Sequence, residues 1–226
     1  AFNNLGYSVE WRVINAADYG RSQRRRRVFF FVFRNDTKYA KSLDSKYENE
    51  DIVFEEHKYD DYLFQTGLFA TQFPIKQAPV KNRQVFYELE DDIVAVSDNF
   101  TGTVWNTGVM RHGKYYSIET AANFDGNPIT LGEILQDETE VPDKYFLTDK
   151  AKLEKFQYLR GPKKLERTSA DGHTYIYSEG GMSPYDDLNL PGRTMLTSEG
   201  TVNRSTHFLF VNNKYRLLTP IEAERL

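Results

Sequence analysis

The chain has 226 residues and a mass of 26.4 kDa, enough for one or two domains. Hydrophobic residues are 39% and include 16 Phe and 15 Tyr, so a real core can form and wholesale disorder is excluded. The net charge of -4 hides an asymmetry: residues 1–34 hold 7 Lys+Arg against 2 Asp+Glu, residues 35–150 hold 11 against 22, and residues 151–226 hold 11 against 9. A polyanion would be drawn to the two ends of the chain and repelled by its middle. The longest apolar run, Val28 to Phe33, is far below the roughly 18 residues a membrane helix needs. With no cysteine there is no disulfide, thiolate metal site or cysteine nucleophile in these residues. His57, His112, His173 and His207 are scattered without metal-ligand spacing and read as surface or structural residues.

In chain order, Tyr7 to Ile14 alternates and is rich in β-formers, which predicts a strand. A turn follows from Asn15 to Gly20. The basic run Arg24-Arg25-Arg26-Arg27 then enters Val28 to Phe33, whose continuous apolar pattern predicts a strand buried on both faces. Residues 35–60 read as a mobile polar connection with one helix, and Glu48 to Asp61 as a solvated acidic surface. Short strands are predicted at Gln84 to Leu89, Ile93 to Val96 and Gly113 to Ile118, with turns between them. Thr130 to Leu135 predicts a short helix capped by its threonine. Thr148 to Leu159 predicts a longer one, capped by Thr148, with Leu153, Phe156 and Leu159 on one face. Tyr175 to Tyr177 and His207 to Val211 read as strands.

Thr219-Pro220-Ile221-Glu222 has the form of a capping box with proline in the first helical position. It announces a helix in which the sequence stops at Leu226, so the sequence is expected to be a piece of a larger protein. The opening Ala1-Phe2-Asn3-Asn4 carries no secretory signal.

Two stretches carry a resemblance. Asn15-Ala16-Ala17-Asp18-Tyr19-Gly20-Arg21-Ser22-Gln23-Arg24-Arg25-Arg26-Arg27-Val28-Phe29 resembles the Gln-x-Arg-x-Arg motif of the DNA (cytosine-5) methyltransferases, with its upstream Asp-Tyr-Gly. Tyr215 to Leu226 resembles that family's late Arg-x-Leu-Thr-x-x-Glu-x-x-Arg-Leu motif. Pro191 to Gly200 looks like the end of the family's target recognition domain, and Ile134-Leu135 with Lys144 to Thr148 is a weaker echo. About 45 residues carry the likeness. The family's Phe-x-Gly-x-Gly cofactor loop, Pro-Cys-Gln nucleophile and Glu-Asn-Val proton donor have no counterpart in these residues.

The resemblance implies an α+β fold of mostly short antiparallel strands with a few helices, plus a strand-loop-strand piece of an α/β methyltransferase sheet. It implies three parts: residues 1–34 from the catalytic domain, residues 35–212 as target recognition domain, and residues 213–226 as the start of the late motif. A family member must rotate its target cytosine out of duplex DNA to reach the ring. By resemblance Arg27 hydrogen-bonds the extruded pyrimidine, Arg25 holds phosphate beside it, and Gln23 fills the remaining motif position. Arg24 and Arg26 point elsewhere if alternation holds. The loop residues Arg193, Thr194, Thr197, Ser198, Asn203, Arg204, Ser205 and Thr206 are candidates for DNA contact, since arginine reads guanine and asparagine reads adenine. Arg216, Thr219, Glu222 and Arg225 are expected to organise a structural junction.

The intact enzyme would use S-adenosylmethionine; none is expected on these residues, nor any metal. The implied partner is double-stranded DNA, with a companion restriction endonuclease as a functional pair, no membrane, a monomeric state and a bacterial cytoplasmic setting. Two rivals stand beside this reading. One is an RNA cytosine methyltransferase, against which the long insert argues. The other is a non-catalytic β-rich interaction module whose arginines pair with acidic residues of a partner or of the chain itself.

Overall fold

The computed structural model describes residues 1–47 and 59–226. His57 and most of the acidic stretch from Glu48 to Asp61 lie outside the described residues. The chain divides into two packed units: unit 1 is Ala1–Tyr19 with Arg26–Gly126, and unit 2 is Gly20–Arg25 with Asn127–Leu226.

Unit 1 is built on the alternating segment read from the sequence. Strand β1, Tyr7–Asn15, pairs antiparallel with β2, Arg26–Arg34. Helix α1 (Lys38–Tyr47), α2 (Leu68–Gln72), strand β3 (Gln84–Glu88), α3 (Ile93–Asn99) and strands β4 (Thr107–Arg111) and β5 (Lys114–Ile118) follow. The five strands form one antiparallel sheet in the order β2-β1-β4-β5-β3. One face packs Phe33, Val109, Tyr116 and Ile118 against Leu43, Tyr47, Tyr62 and Leu63. The other gathers Val9, Trp11, Met110 and Tyr115. Gly108 lies opposite Trp11, and a Cβ there would come within 2.2 Å of the indole, so only glycine lets β4 pass beneath that ring.

The structure corrects the expectation of a doubly buried second strand. Among the described residues β2 is an edge strand that pairs with β1 alone. Val28 is 49% exposed, Phe29 47% and Phe30 62%, while Phe33 enters the core at 7%. The cause is uneven cover: Tyr39 of α1 packs on Phe31 and Phe33 and does not extend to the arginine end. There Val28 and Phe30 line an open groove of about 430 Å³ with Trp11, Val104 and Trp105.

Ile93 to Val96 also differs from expectation: it is the first half of α3. A four-residue apolar run does not distinguish the two periodicities. Here Asp92 decides, accepting the Val94 N–H at the helix start.

Unit 2 contains the short helical turn Gly132–Ile134, where Thr130 and Glu133 exchange capping bonds. Helix α4 spans Lys150–Arg160, and its cap is Asp149, which takes the Ala151 N–H, rather than Thr148. Phe156 is fully buried and stacks on Phe208 at 4.5 Å. Strands β6 (Lys163–Thr168) and β7 (Thr174–Glu179) form a hairpin, and β8 (Leu209–Val211) and β9 (Lys214–Arg216) form another. His207 and Phe208, expected in a strand, precede β8. Helix α5, Pro220–Arg225, starts at Thr219 with the full capping box. The whole is a mixed α+β chain with antiparallel sheets, as the sequence predicts. Among the described residues no helix is long and apolar enough to cross a membrane.

Candidate nucleic-acid interface

Gln23, Arg24 and Arg25 belong to unit 2, and Arg26 and Arg27 to unit 1. Within unit 2 the backbone before the arginines is pinned from two directions. The Gly192 N–H donates to the Ser22 carbonyl at 2.8 Å, and the Arg24 N–H donates to the Gly192 carbonyl at 2.7 Å, a parallel bridge centred on Gln23. The Thr194 hydroxyl donates to the Arg24 carbonyl at 2.8 Å. From the other side the Ser22 hydroxyl donates to the Leu226 carbonyl at 2.7 Å. A Cβ at Gly192 would lie 2.4 Å from the Leu226 Cδ1, so a larger residue there would have to displace that side chain. Ser22 and Gln23 are buried by these contacts, while Arg24 and Arg25 remain exposed.

Within unit 1, Arg26 and Arg27 open β2 opposite Asn15 and Ile14. Neighbours on a strand face opposite ways. Arg26 accordingly lines a cleft of about 560 Å³ with Asn15, Asp18, Tyr19, Glu119 and Thr120. The Asn15 amide donates to Asp18 at 2.8 Å, and the Tyr19 hydroxyl donates to the Pro74 carbonyl at 3.1 Å, which braces the turn. Arg27 is exposed, and Nη1 donates to the Arg26 carbonyl at 2.7 Å.

Among the described residues, none of Arg21, Arg24, Arg25, Arg26 and Arg27 forms an ion pair. Exposed cations that form no ion pair suit a polyanion. A self-neutralising cluster would show carboxylates paired with these guanidiniums; Asp18 and Glu119 share the Arg26 cleft but are bonded to Asn15 and Arg83.

The loop 193–206 is more mixed. The Arg193 guanidinium donates to Asp186 at 2.5 Å and to the Thr206 carbonyl at 2.9 Å. Arg204 donates to the Leu159 carbonyl at 2.7 Å and pairs with Glu179 at 3.1 Å. Thr206 is fully buried, its hydroxyl bonded to the Thr201 carbonyl at 2.7 Å. The Asn203 side-chain oxygen takes the Ser205 N–H at 2.9 Å, and the residue is exposed. The hydroxyls of Thr197, Ser198 and Ser205 donate to no described group; Thr197 is exposed and the other two are half-buried.

Asp186 escapes a sequence reading because its partners are far along the chain. It also accepts from Arg160 at 2.7 Å and from the Phe208 N–H at 2.9 Å. Burial pushes its pKa up, but Arg193, the Phe208 amide and Arg160 outweigh that and hold it below the usual range.

At the junction Arg216 grips Glu222 through both Nη atoms at 2.7 Å. Glu222 also takes the Thr219 N–H at 2.9 Å and the Gln136 N–H at 2.8 Å. Arg225 donates to the Ile134 carbonyl at 3.1 Å, and the Thr219 hydroxyl bonds Gln136. No pair of glycines stands in a Gly-x-Gly spacing, so these residues do not fit an adenosyl cofactor cradled by a glycine loop. Among the described residues no group of His, Asp or Glu is placed to hold a metal ion.

The whole chain, residues 1–226, matches the family described as C-5 cytosine-specific DNA methylase. It is 50% identical over 224 residues to the type II methyltransferase M.Sau3AI of Staphylococcus aureus, covering 99% of this chain and 51% of that protein. A shorter stretch of 57 residues is 39% identical to the type II methyltransferase M.MthTI of Methanothermobacter thermautotrophicus, 24% of this chain and 17% of that one. No solved structure matches. The chain thus spans at most about half the length of these curated relatives.

Proposed function

The chain belongs to the C-5 cytosine-specific DNA methylase family, and from that premise we propose that it is the DNA-gripping and sequence-reading portion of a DNA (cytosine-5) methyltransferase. The intact protein moves a methyl group from S-adenosylmethionine to carbon 5 of a cytosine extruded from duplex DNA. The nucleophilic cysteine and the cofactor loop lie outside these residues, so this chain forms no covalent adduct at carbon 6.

One observation carries this reading: the run Arg24 to Arg27 is exposed and forms no ion pair among the described residues, while the backbone around Gln23 is pinned. In the proposal, Arg27 donates to the flipped pyrimidine and Arg25 holds the adjoining phosphate. A guanidinium stays charged and presents a rigid fork of donors, which suits both tasks. Gln23, already buried against Gly192, fixes the approach of the loop. Residues 35–212 form the target recognition part, within which Thr197, Ser198, Asn203 and Ser205 keep groups free for DNA. Arg193, Arg204 and Thr206 hold that loop in shape. Residues 1–34 and 213–226 belong with the catalytic part. Duplex DNA is the partner, in a bacterial cytoplasm, with the enzyme acting as a monomer and paired functionally with a restriction endonuclease.

The test compares the 226-residue chain with the full-length protein. The chain alone is expected to bind duplex DNA with a strong salt dependence and to methylate none of it. In the full-length protein, Arg25→Ala with Arg27→Ala is expected to lower methylation on the order of 100-fold, the scale of losing preorganised charge at a reacting group. The melting temperature should stay near wild type, since neither side chain has a carboxylate to lose. Methylation by the purified chain, or unchanged DNA affinity after the double substitution, would overturn the assignment.

A further inference from the structure

The hairpin of β6 and β7 takes no part in holding the arginine loop. Its strands pair from Lys163 opposite Glu179 to Thr168 opposite Thr174, a ribbon roughly 20 Å long at about 3.4 Å per residue. Both faces are open: β6 is exposed beyond Lys163, and Ile176 of β7 is 61% exposed. An isolated two-stranded ribbon is marginal in water. This one is bolted at its root. Lys163 Nζ donates to the Leu159 carbonyl at 2.8 Å and to Glu179 at 2.9 Å. Arg204 bonds the Leu159 and Gly180 carbonyls and pairs with the same Glu179.

The two faces differ in chemistry. Alternation puts Lys163, Leu165, Arg167, Tyr175, Tyr177 and Glu179 on one side. On that side the charged groups are already engaged, the Arg167 guanidinium 3.8 Å from the Tyr177 ring centre and Lys163 with Glu179 at the root, while Leu165 and Tyr175 stay exposed. The other side carries Lys164, Glu166, Thr168, Thr174, Ile176 and Ser178. Among the described residues the side chains of Lys164, Glu166 and Ser178 have no hydrogen bond or ion pair, and the two threonines meet only each other at 3.4 Å. It therefore offers one ammonium, one carboxylate, three hydroxyls and one exposed branched aliphatic.

We propose that this second face lies against the base edges in the major groove of duplex DNA and sets part of the recognition sequence. The inference rests on the methyltransferase reading and adds to it the element that reads. The major groove admits a two-stranded ribbon, and every group on the face has a partner there. Lysine suits guanine, glutamate accepts from the cytosine amino group, hydroxyls adapt to either, and isoleucine packs on the thymine methyl. The mixed sign matters: a surface built for phosphates alone has no use for Glu166, because a carboxylate beside phosphate is repelled. The placement is continuous with the arginine loop inside unit 2. Arg204, which clamps the root, and Thr194, which holds the Arg24 carbonyl, belong to the same loop 193–206.

The experiment uses the full-length protein and unmethylated genomic DNA, with every modified cytosine mapped by sequencing. Wild type is expected to modify one sequence. The triple variant Lys164→Ala, Glu166→Gln, Ile176→Ala is expected to modify additional sequences that differ at one or two base pairs, with discrimination falling about tenfold or more at each. A variant that melts like wild type and modifies the same set with the same discrimination overturns the proposal. Should the variant not fold, wild-type protein is photocrosslinked to a 30-base-pair duplex carrying 5-iodouracil at the thymines of its mapped site. Crosslinks within residues 163–179 support the proposal, and their absence overturns it. Wild type that modifies no cytosine in DNA defeats the methyltransferase reading itself, a separate result from an unchanged pattern.

Discussion

In unit 2 the buried carboxylates Asp186 and Glu222 are each met by arginine. Asp186 takes Arg160, Arg193 and a backbone amide, and Glu222 takes both Nη atoms of Arg216 and two amides. Burial raises the pKa of Glu222, but Arg216 and the amides of Thr219 and Gln136 bring it below the usual range, as happens at Asp186. In unit 1, Glu10 is just as buried and has no such partner. Tyr62 donates to Oε2 at 2.9 Å, and among the described residues Oε1 makes no well-formed hydrogen bond. Arg12, two residues on, gives its Nη donors to the carbonyls of Leu63 and Phe73. Burial therefore dominates and raises the Glu10 pKa; Tyr62, Arg12 and the amides of Phe69 and Leu68 offset it only in part. The difference teaches that burying an acid stabilises a fold only where donors replace the lost water.

The sharpest way to break this comparison is Glu222→Ala. It strands Arg216, which is 3% exposed, without its partner, and should cost about 3–5 kcal/mol. A thermal melt of the purified chain checks it; a loss below about 1 kcal/mol would show that the pair is not what holds the junction. The pH dependence comes next. Because Asp186 and Glu222 sit below their ordinary pKa, the stability they give is complete above an ordinary carboxylate pKa of about 4 and disappears as the pH falls through the lower native value. Chemical denaturation across pH 2–6 should follow that loss, and a wild type as stable below it as above it would refute the assignment.

The smallest effect is the most diagnostic. A raised native pKa means that Glu10 costs stability as the pH rises past its ordinary value of 4.5. Glu10→Gln keeps an oxygen for Tyr62 and avoids that cost. Its melting temperature should exceed wild type at pH 7, with the advantage vanishing near pH 4. A Gln variant less stable at pH 7 would mean that the ionised carboxylate is wanted there.

Local chemistry made several parts of this molecule legible from sequence. The capping box at Thr219 and Glu222, the apolar face of α4 and the alternation of β1 depend on residues a few positions apart. The arginine run was legible for the same reason: charge and motif lie in one short stretch. β4 was not, because all five of its residues are buried, so no alternation marks it, and Gly108 serves Trp11 on another strand. β6 was missed because Lys163 to Thr168 is charged and polar and shows no buried face. The commitment of Arg193 to Asp186 depends on a fold that brings Arg160, Asp186 and Phe208 together across 48 residues of chain; nothing in the pattern around Pro191 to Gly200 reports it.

The open edge of β2 gives the four consecutive arginines a second consequence. A strand paired on one edge only among the described residues, with Val28, Phe29 and Phe30 exposed, is a template for pairing with a like strand of another molecule. Arg26 and Arg27 are the first residues of that strand, and two copies brought edge to edge in antiparallel register would have to accommodate their charge. Charges flanking an aggregation-prone segment act as gatekeepers in general, and these two stand in that position. Neutralising them would therefore lower the yield of soluble protein, independently of any loss of grip on nucleic acid.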